Sequence, residues 1–479
     1  MPASKLASDS SKERLRSEQM AEPVIPAAIF RAYDIRGLVG SELTNQSIML
    51  IAKAVASEAL DAGITQLLVG YDGRSSSPNF SQALIEGILS TGCSVVNIGQ
   101  VPTPLLYFGT YTSGIDSGVM LTASHNPANY NGLKMVFNQT SLAASKISQI
   151  KTRVEQHKFA TGKGEYSELT LQNDYLQAIS SRIKLGRKLR VVVDCGNAVP
   201  GTIAPDVFRA LGCDVTPIFC EVDGRFPNHH PDPTVEANLA DLKSRVLTEQ
   251  ADLGIAFDGD GDRVAIVTDR GEAIPADRLL MLLAKHIMPD YPGESVIFDV
   301  KCSSTLPSLI SSLNANPVMH SSGHSLMKKK MVSSNAPLGG EYAAHFFIKD
   351  RWFGFDDGIY AAARVVEILS NLPHYASEEF ASFPILVSTP EIKIPVAETR
   401  KFALMDKILK HADFTNAKMI LIDGLRVEFP DGWGLVRASN TSPALLLRFE
   451  ADTRQRLKEI QALFKALIRS ADTSLDLNF

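Results

Sequence analysis

The chain has 479 residues, more than one hydrophobic core usually supports, so two to four domains are expected. Its composition, 45% hydrophobic and 21% charged, is that of an ordinary globular protein. A net charge of −5 without a long basic block argues against a nucleic-acid partner, so any anion chemistry must come from locally placed cations. No apolar run is long enough for a membrane span. Five cysteines, an odd number without framework spacing, point to a reducing cytoplasm. Residues 1–24, rich in Ser, Lys and Glu, read as a disordered extension, with Met20 an alternative start.

In chain order, a pattern then repeats three times. Leu67 to Asp72 reads as a strand, Asn79 to Ser90 as an amphipathic helix and Ser94 to Ile98 as a second strand. The same sequence of elements recurs as Leu189 to Asp194, a helix ending near Gly212, and Val215 to Cys220. It recurs again as Val296 to Val300, Thr305 to Leu313, and Pro317 to Met319. Strand, helix, strand at this spacing is a βαβ unit with parallel pairing. After each unit a further apolar strand opens into a loop, at Thr122, Asp258 and Gly339. From Pro384 the signals change to strand-like pieces (Phe383 to Val387, Glu391 to Ile394), a Lys/Leu-rich helix, a hairpin and a last amphipathic helix. The fold class is therefore α/β, with three similar mixed α/β domains and a C-terminal α+β domain. The expected boundaries are 25–169, 170–272, 273–384 and 385–479.

The loops carry the chemistry. The apolar strand Gly118 to Leu121 delivers Ser124 into a polar turn with His125, Asn126 and Pro127, which makes Ser124 a candidate nucleophile. In Asp258-Gly-Asp-Gly-Asp-Arg263, three carboxylates alternate with glycines between two apolar strands. Asp258, Asp260 and Asp262 form a hard-oxygen set suited to Mg²⁺, and an EF-hand is excluded because its twelfth position would be Asp269 and its flanks are strands. Arg263 adds a cation beside that set. The third loop places Glu341 and His345 just past a Gly pair, groups suited to sugar hydroxyls. The fourth, Arg437 to Pro443, has the composition of a phosphate cradle without a nucleotide P-loop ending. Lys134, Lys301 and His324 read as isolated cations, and Lys328-Lys-Lys330 as a solvated helix face.

Four ordered motifs, Thr-Ala-Ser-His-Asn-Pro, Asp-Gly-Asp-Gly-Asp-Arg, Gly-Glu-x-x-x-His and Arg-x-Ser-Asn-Thr, resemble those of the α-D-phosphohexomutase superfamily over nearly the whole chain. Phe30 to Gly37 and Arg351 to Gly358 look most like its bacterial phosphomannomutase/phosphoglucomutase branch. The resemblance implies four domains around one central active-site cleft, with Ser124 carrying a phosphoryl group, and an oxygen of that phosphoserine joining Asp258, Asp260 and Asp262 on one Mg²⁺. It implies catalytic roles for Arg36, His125, Lys134, Arg263 and His324. It implies substrate contacts from Tyr33, Lys301, His324, from Glu341, Tyr342, Ala343, Ala344 and His345, and from Arg437, Ala438, Ser439, Asn440 and Thr441. One residue departs from the family pattern: Ala343 stands where Ser is common, removing a hydroxyl that could distinguish mannose from glucose.

The expected reaction is transfer between the 1- and 6-positions of a hexose phosphate through a hexose 1,6-bisphosphate, by a cytoplasmic monomer. The expected partners are small hexose phosphates. Phosphoglucosamine mutase, a phosphatase and a non-catalytic sugar-phosphate binder are the rival readings.

Overall fold

The computed structural model describes residues 25–415, 417–440 and 442–479. The expected extension at 1–24 and the cradle residue Thr441 lie outside these residues. Three sheets share one arrangement. In the first, Gln66–Tyr71 pairs in parallel with Ser94–Gln100 on one side and Gly118–Leu121 on the other, and Tyr130–Phe137 returns antiparallel to the last. In the second the same places are taken by Arg190–Asp194, Asp214–Ile218, Leu253–Phe257 and Val264–Thr268. In the third they are taken by Ser295–Asp299, Asn316–His320, Leu338–Gly340 and Phe346–Ile348. Each functional loop thus leaves the carboxyl end of the equivalent strand, where parallel α/β sheets place their ligands. The second sheet also holds Ala273–Ile274, beyond the expected boundary at 272.

The fourth sheet is antiparallel through Leu425–Phe429, Gly432–Ala438 and Ala444–Ala451, and helix Arg454–Ala471 covers one face. Three local expectations shift here and in the third unit. Arg437 and Ala438 lie on the strand, so the cradle loop proper begins at Ser439. Gly339 and Gly340 likewise sit within a strand, and the loop opens at Glu341. The segment after Phe383 forms no strand until Val387–Ser388, because helix Ala376–Ala381 has only just ended.

A continuous core joins the first three domains. Phe108, on helix Thr103–Thr112, which is buried from Thr103 to Thr110, stacks on Trp352, whose ring stacks on Tyr360 at 4.4 Å. Tyr175 donates its hydroxyl to Asp357 at 2.8 Å, so residues from three domains meet in one cluster. The fourth domain has its own core around Ile460, Phe464 and Phe449. Its contacts with the third combine an apolar cluster of Val300, Trp433 and Leu435 with buried polar bonds: Arg426 donates to the carbonyls of Val300 and Cys302, and Glu450 accepts from Ser304.

Candidate active site

Ser124, next to His125 on the cleft wall, is 1% exposed, with φ at +50°, a conformation seldom adopted by non-glycine residues. Its Oγ donates to Asp258 Oδ2 at 2.7 Å and lies 3.2 Å from His125 Nδ1. The serine loop and the acidic loop approach so closely that a Cβ at Gly259 would sit 2.2 Å from the Ser124 carbonyl oxygen. Only glycine allows that contact. Arg36, paired with Asp34, donates to the Ala123 carbonyl and to the Asn126 side chain, which ties it to the same loop.

Asp258, Asp260 and Asp262 are fully buried, and their carboxylates converge within 4.8 Å. Lys134 is not the isolated cation its sequence context suggests: its ammonium bridges Asp260 (2.6 Å) and Asp262. Burial, then repulsion from Asp260 and Asp262, pushes the Asp258 carboxyl well up. Asp260 goes the other way, because Lys134 outweighs the cost of burial and holds it below the usual range. Asp260 Oδ1 and Asp262 Oδ1 are buried without a hydrogen-bond partner among the described residues. Orphaned hard oxygens facing one point suit a divalent cation, so the triad fits a bound metal ion.

The acidic loop is joined to the third loop by a backbone bridge between Arg263 and His345. Arg263 Nε donates to His345 Nε2 at 2.9 Å and lies 3.9 Å from Asp258. The third loop is a tight turn closed by Ala344 N to the Glu341 carbonyl, with Ala344 at φ +70°. Glu341 accepts from Gly323 N through one oxygen, while the other is buried and has no hydrogen-bond partner among the described residues. Lys301 faces Glu391 at 3.4 Å and Asp299 at 3.7 Å, and His324 lies 3.5 Å from Asp356, so neither is isolated. Burial, then Lys328, drives the His324 pKa well down. Burial, then Arg263 and Arg36, does the same to His125, and both rings are neutral near pH 7. Lys328 does not face solvent as the Lys328–Lys330 run suggests. It donates to Asp356 at 2.8 Å and lies 4.0 Å from the Tyr107 ring centroid.

Above these groups opens a cavity of about 440 Å³. Of the expected substrate residues, Tyr33, Lys301, His324, Glu341, Tyr342, Ala343, His345, Arg437, Ser439 and Asn440 line it. Ala344 and Ala438 are buried behind the wall. Asn440 Nδ2 donates to the Tyr33 hydroxyl at 2.7 Å, so the first and fourth domains meet across the opening. Burial, then the nearby Asp423, raises that phenol to about 12. Arg437 is oriented by Asp423 at 2.9 Å.

Several participants escaped the sequence reading. Asp356 binds Lys328 and lies 3.1 Å from His345 Nδ1. Thr103 donates to Asp260. Arg74 and Asp72 fasten the serine loop from below. Thr103, Arg74 and Asp356 reach partners 157, 50 and 28 residues away along the chain. The buried Asp-Asp pair at 356–357 is the nearest to a signal.

Domain descriptions of the phosphoglucomutase/phosphomannomutase type match the chain four times. Alpha/beta/alpha domains I, II and III match residues 27–161, 173–271 and 275–384, and the C-terminal domain matches 391–467. A phosphomannomutase/phosphoglucomutase of Pseudomonas aeruginosa is 49% identical, over 95% of this chain and 99% of its own. A phosphoglucomutase of Neisseria meningitidis is 44% identical, over 92% and 97%. The crystal structure of a phosphoglucomutase/phosphomannomutase family protein from Burkholderia thailandensis superposes with a TM-score of 0.91 at 41% identity, covering 95% of this chain and 100% of that one. The fold and its carboxylate-backed serine are those of a phosphohexomutase, an isomerase. The chain belongs to the phosphoglucomutase/phosphomannomutase family.

Proposed function

We propose that the protein moves a phosphoryl group between the 1- and 6-oxygens of mannose or glucose phosphate, with Ser124 as the carrier. The observation that carries this is the placement of the Ser124 hydroxyl on Asp258, below a cleft whose far wall is Arg437, Ser439 and Asn440. A serine phosphate at the base and a substrate phosphate at the far wall would hold the hexose between them. Asp258, Asp260, Asp262 and a phosphoserine oxygen would hold Mg²⁺, which supplies charge neutralisation on the transferring group.

The steps follow from the side chains. Arg437, with Tyr33 and Asn440, grips the non-reacting phosphate. Lys301, Glu341 and His345 meet the sugar hydroxyls. The free hydroxyl attacks phosphorus, the bond from phosphorus to Ser124 Oγ breaks, and the hydroxyl's proton is taken up as the serine regains its own. Arg263 and Lys134 offset the negative charge that accumulates during transfer. The resulting hexose 1,6-bisphosphate turns end for end and returns its other phosphate to Ser124. The cradle must accept a phosphate from either end of the sugar. Movement of the fourth domain about residues 384–390 would serve this, and the largely irregular chain there supports it. Residues of all four domains line the cleft, and we take the protein to act as a monomer. We take the functional units to be 25–169, 170–272, 273–384 and 385–479.

The test is a panel of mannose, glucose and glucosamine 1-phosphates with phosphorylated protein, Mg²⁺ and a trace of bisphosphate. Turnover of the first two supports the reading. Preference for glucosamine 1-phosphate would reassign it to a glucosamine mutase, and net release of inorganic phosphate to a phosphatase.

A further inference from the structure

Beneath the serine loop, Arg74 sits 1% exposed in a turn that follows the central strand of the first sheet. Its Nε donates to Asp72 Oδ2 at 3.0 Å, and Asp72 also accepts from the Thr122 hydroxyl at 2.8 Å. The two terminal nitrogens reach four backbone carbonyls of one loop. Nη2 donates to Ser124 and Asn126, both at 2.7 Å, and Nη1 donates to Pro127 at 2.6 Å and Tyr130 at 3.0 Å. No part of the active-site chemistry described above uses this guanidinium. A guanidinium is the only side chain with enough fixed donors to gather four such acceptors.

We propose that Arg74 is the positioning residue for phosphoryl transfer, the group that holds Ser124 in its left-handed conformation with Oγ aimed at the acidic triad. The inference rests on Ser124 being the phosphoryl carrier. Arg36 also holds this loop, but through one carbonyl and one side chain, whereas Arg74 gathers four carbonyls; Ser124 N is held by Thr122 Oγ1, and Thr122 is itself held by the Asp72 that orients Arg74. One buried pair, Asp72 and Arg74, therefore sets both the backbone ahead of the serine and the carbonyls behind it.

The second domain completes the clamp. Phe226 lies over the guanidinium, 5.4 Å from Cζ to the ring centroid, and itself adopts φ +52°. Gly224 lies so close to the Arg74 turn that a Cβ there would fall 2.3 Å from Ser75 N. The strap at 222–226 and the acidic loop belong to the same domain. Arg74 thus registers the nucleophile against the domain that carries Asp258.

The experiment compares Arg74→Ala and Arg74→Lys with wild type in the full chain. Near-UV circular dichroism checks the fold, kcat and KM are measured separately, and intact mass gives Ser124 phosphorylation and its loss to water. A displacement of about 1 Å at a reacting atom lowers rates roughly 100-fold. We therefore expect kcat to fall by that order with KM changed less than about threefold. The phosphoserine should hydrolyse faster in both variants. Guanidinium added to Arg74→Ala should restore part of kcat, whereas urea and sodium chloride should not. A lysine keeps the charge but cannot reach four carbonyls, so Arg74→Lys should resemble Arg74→Ala. A folded variant with kcat near wild type would overturn the inference, as would parallel rises in KM. Failure of both variants to fold would assign Arg74 to stability alone and overturn it too. A wild type never phosphorylated on Ser124 would refute instead the proposed function beneath it.

Discussion

Replacing Lys134 with Met removes the one ammonium that bridges Asp260 and Asp262 in the buried triad. Taking one partner from a buried ion pair costs about 3–5 kcal/mol, because the remaining charge is left uncompensated. About 1 kcal/mol moves Tm by roughly 2–4 °C for a unit of 150–250 residues, so a loss on the order of 10 °C is expected. The pH dependence carries a sign. In wild type the Asp260 carboxyl is held below its usual range, a contribution present above about pH 4 and lost only on stronger acidification. Without Lys134, burial dominates and the carboxyl rises above its unfolded value. The variant should then lose stability as pH climbs from 4 to 8, and its Tm deficit should widen. Millimolar Mg²⁺ supplies the missing positive charge, so it should raise the Tm of Lys134→Met more than that of wild type. A cation present at 100 times its Kd adds about 2.7 kcal/mol. The assay is differential scanning fluorimetry across pH, with chelator and with Mg²⁺. Equal melting of variant and wild type in chelator, or equal Mg²⁺ shifts in both, would refute the reasoning.

Two further outcomes test separate parts of the structure. Ala343→Ser restores a hydroxyl on the cleft wall. One neutral hydrogen bond contributes roughly 0.5–1.5 kcal/mol, so kcat/KM should rise up to about tenfold for one epimer over the other. Equal change for both sugars would remove this loop as the epimer reader. Burial, partly offset by donors from Tyr360, Tyr175 and Trp352, raises the Asp357 pKa to about 7. The folded state then keeps a proton that the unfolded chain loses near pH 4, so this group stabilises most at low pH. That contribution, on the order of 4 kcal/mol at its upper bound, is lost as pH rises to 7. Asp357→Asn should flatten that part of the Tm profile, and parallel profiles would contradict it.

How far the sequence could be read depended on the range of each interaction. The βαβ units were legible because hydrophobic periodicity is local, and the Asp-Gly-Asp-Gly-Asp run was legible because its ligands are close neighbours in the chain. Lys134 was misread as isolated because its partners lie more than 120 residues away, on another domain. Lys328 looked like one of three surface lysines, yet its helix turns it inward onto Asp356. Arg74 carried no local mark at all, since its four acceptors are backbone carbonyls. The edges of the fourth-domain hairpin moved because Arg437 and Ala438 continue the ladder with Leu446 and Leu445.

Phosphorylation of Ser124 tests the central claim most directly. Intact-mass and peptide analysis of active protein should find one phosphoryl group, on Ser124. Addition of hexose 1-phosphate should discharge it with formation of hexose 1,6-bisphosphate, and Ser124→Ala should show neither the group nor turnover while melting like wild type. Full activity in Ser124→Ala, or a phosphoryl group on Ser124 that substrate never removes, would contradict the account.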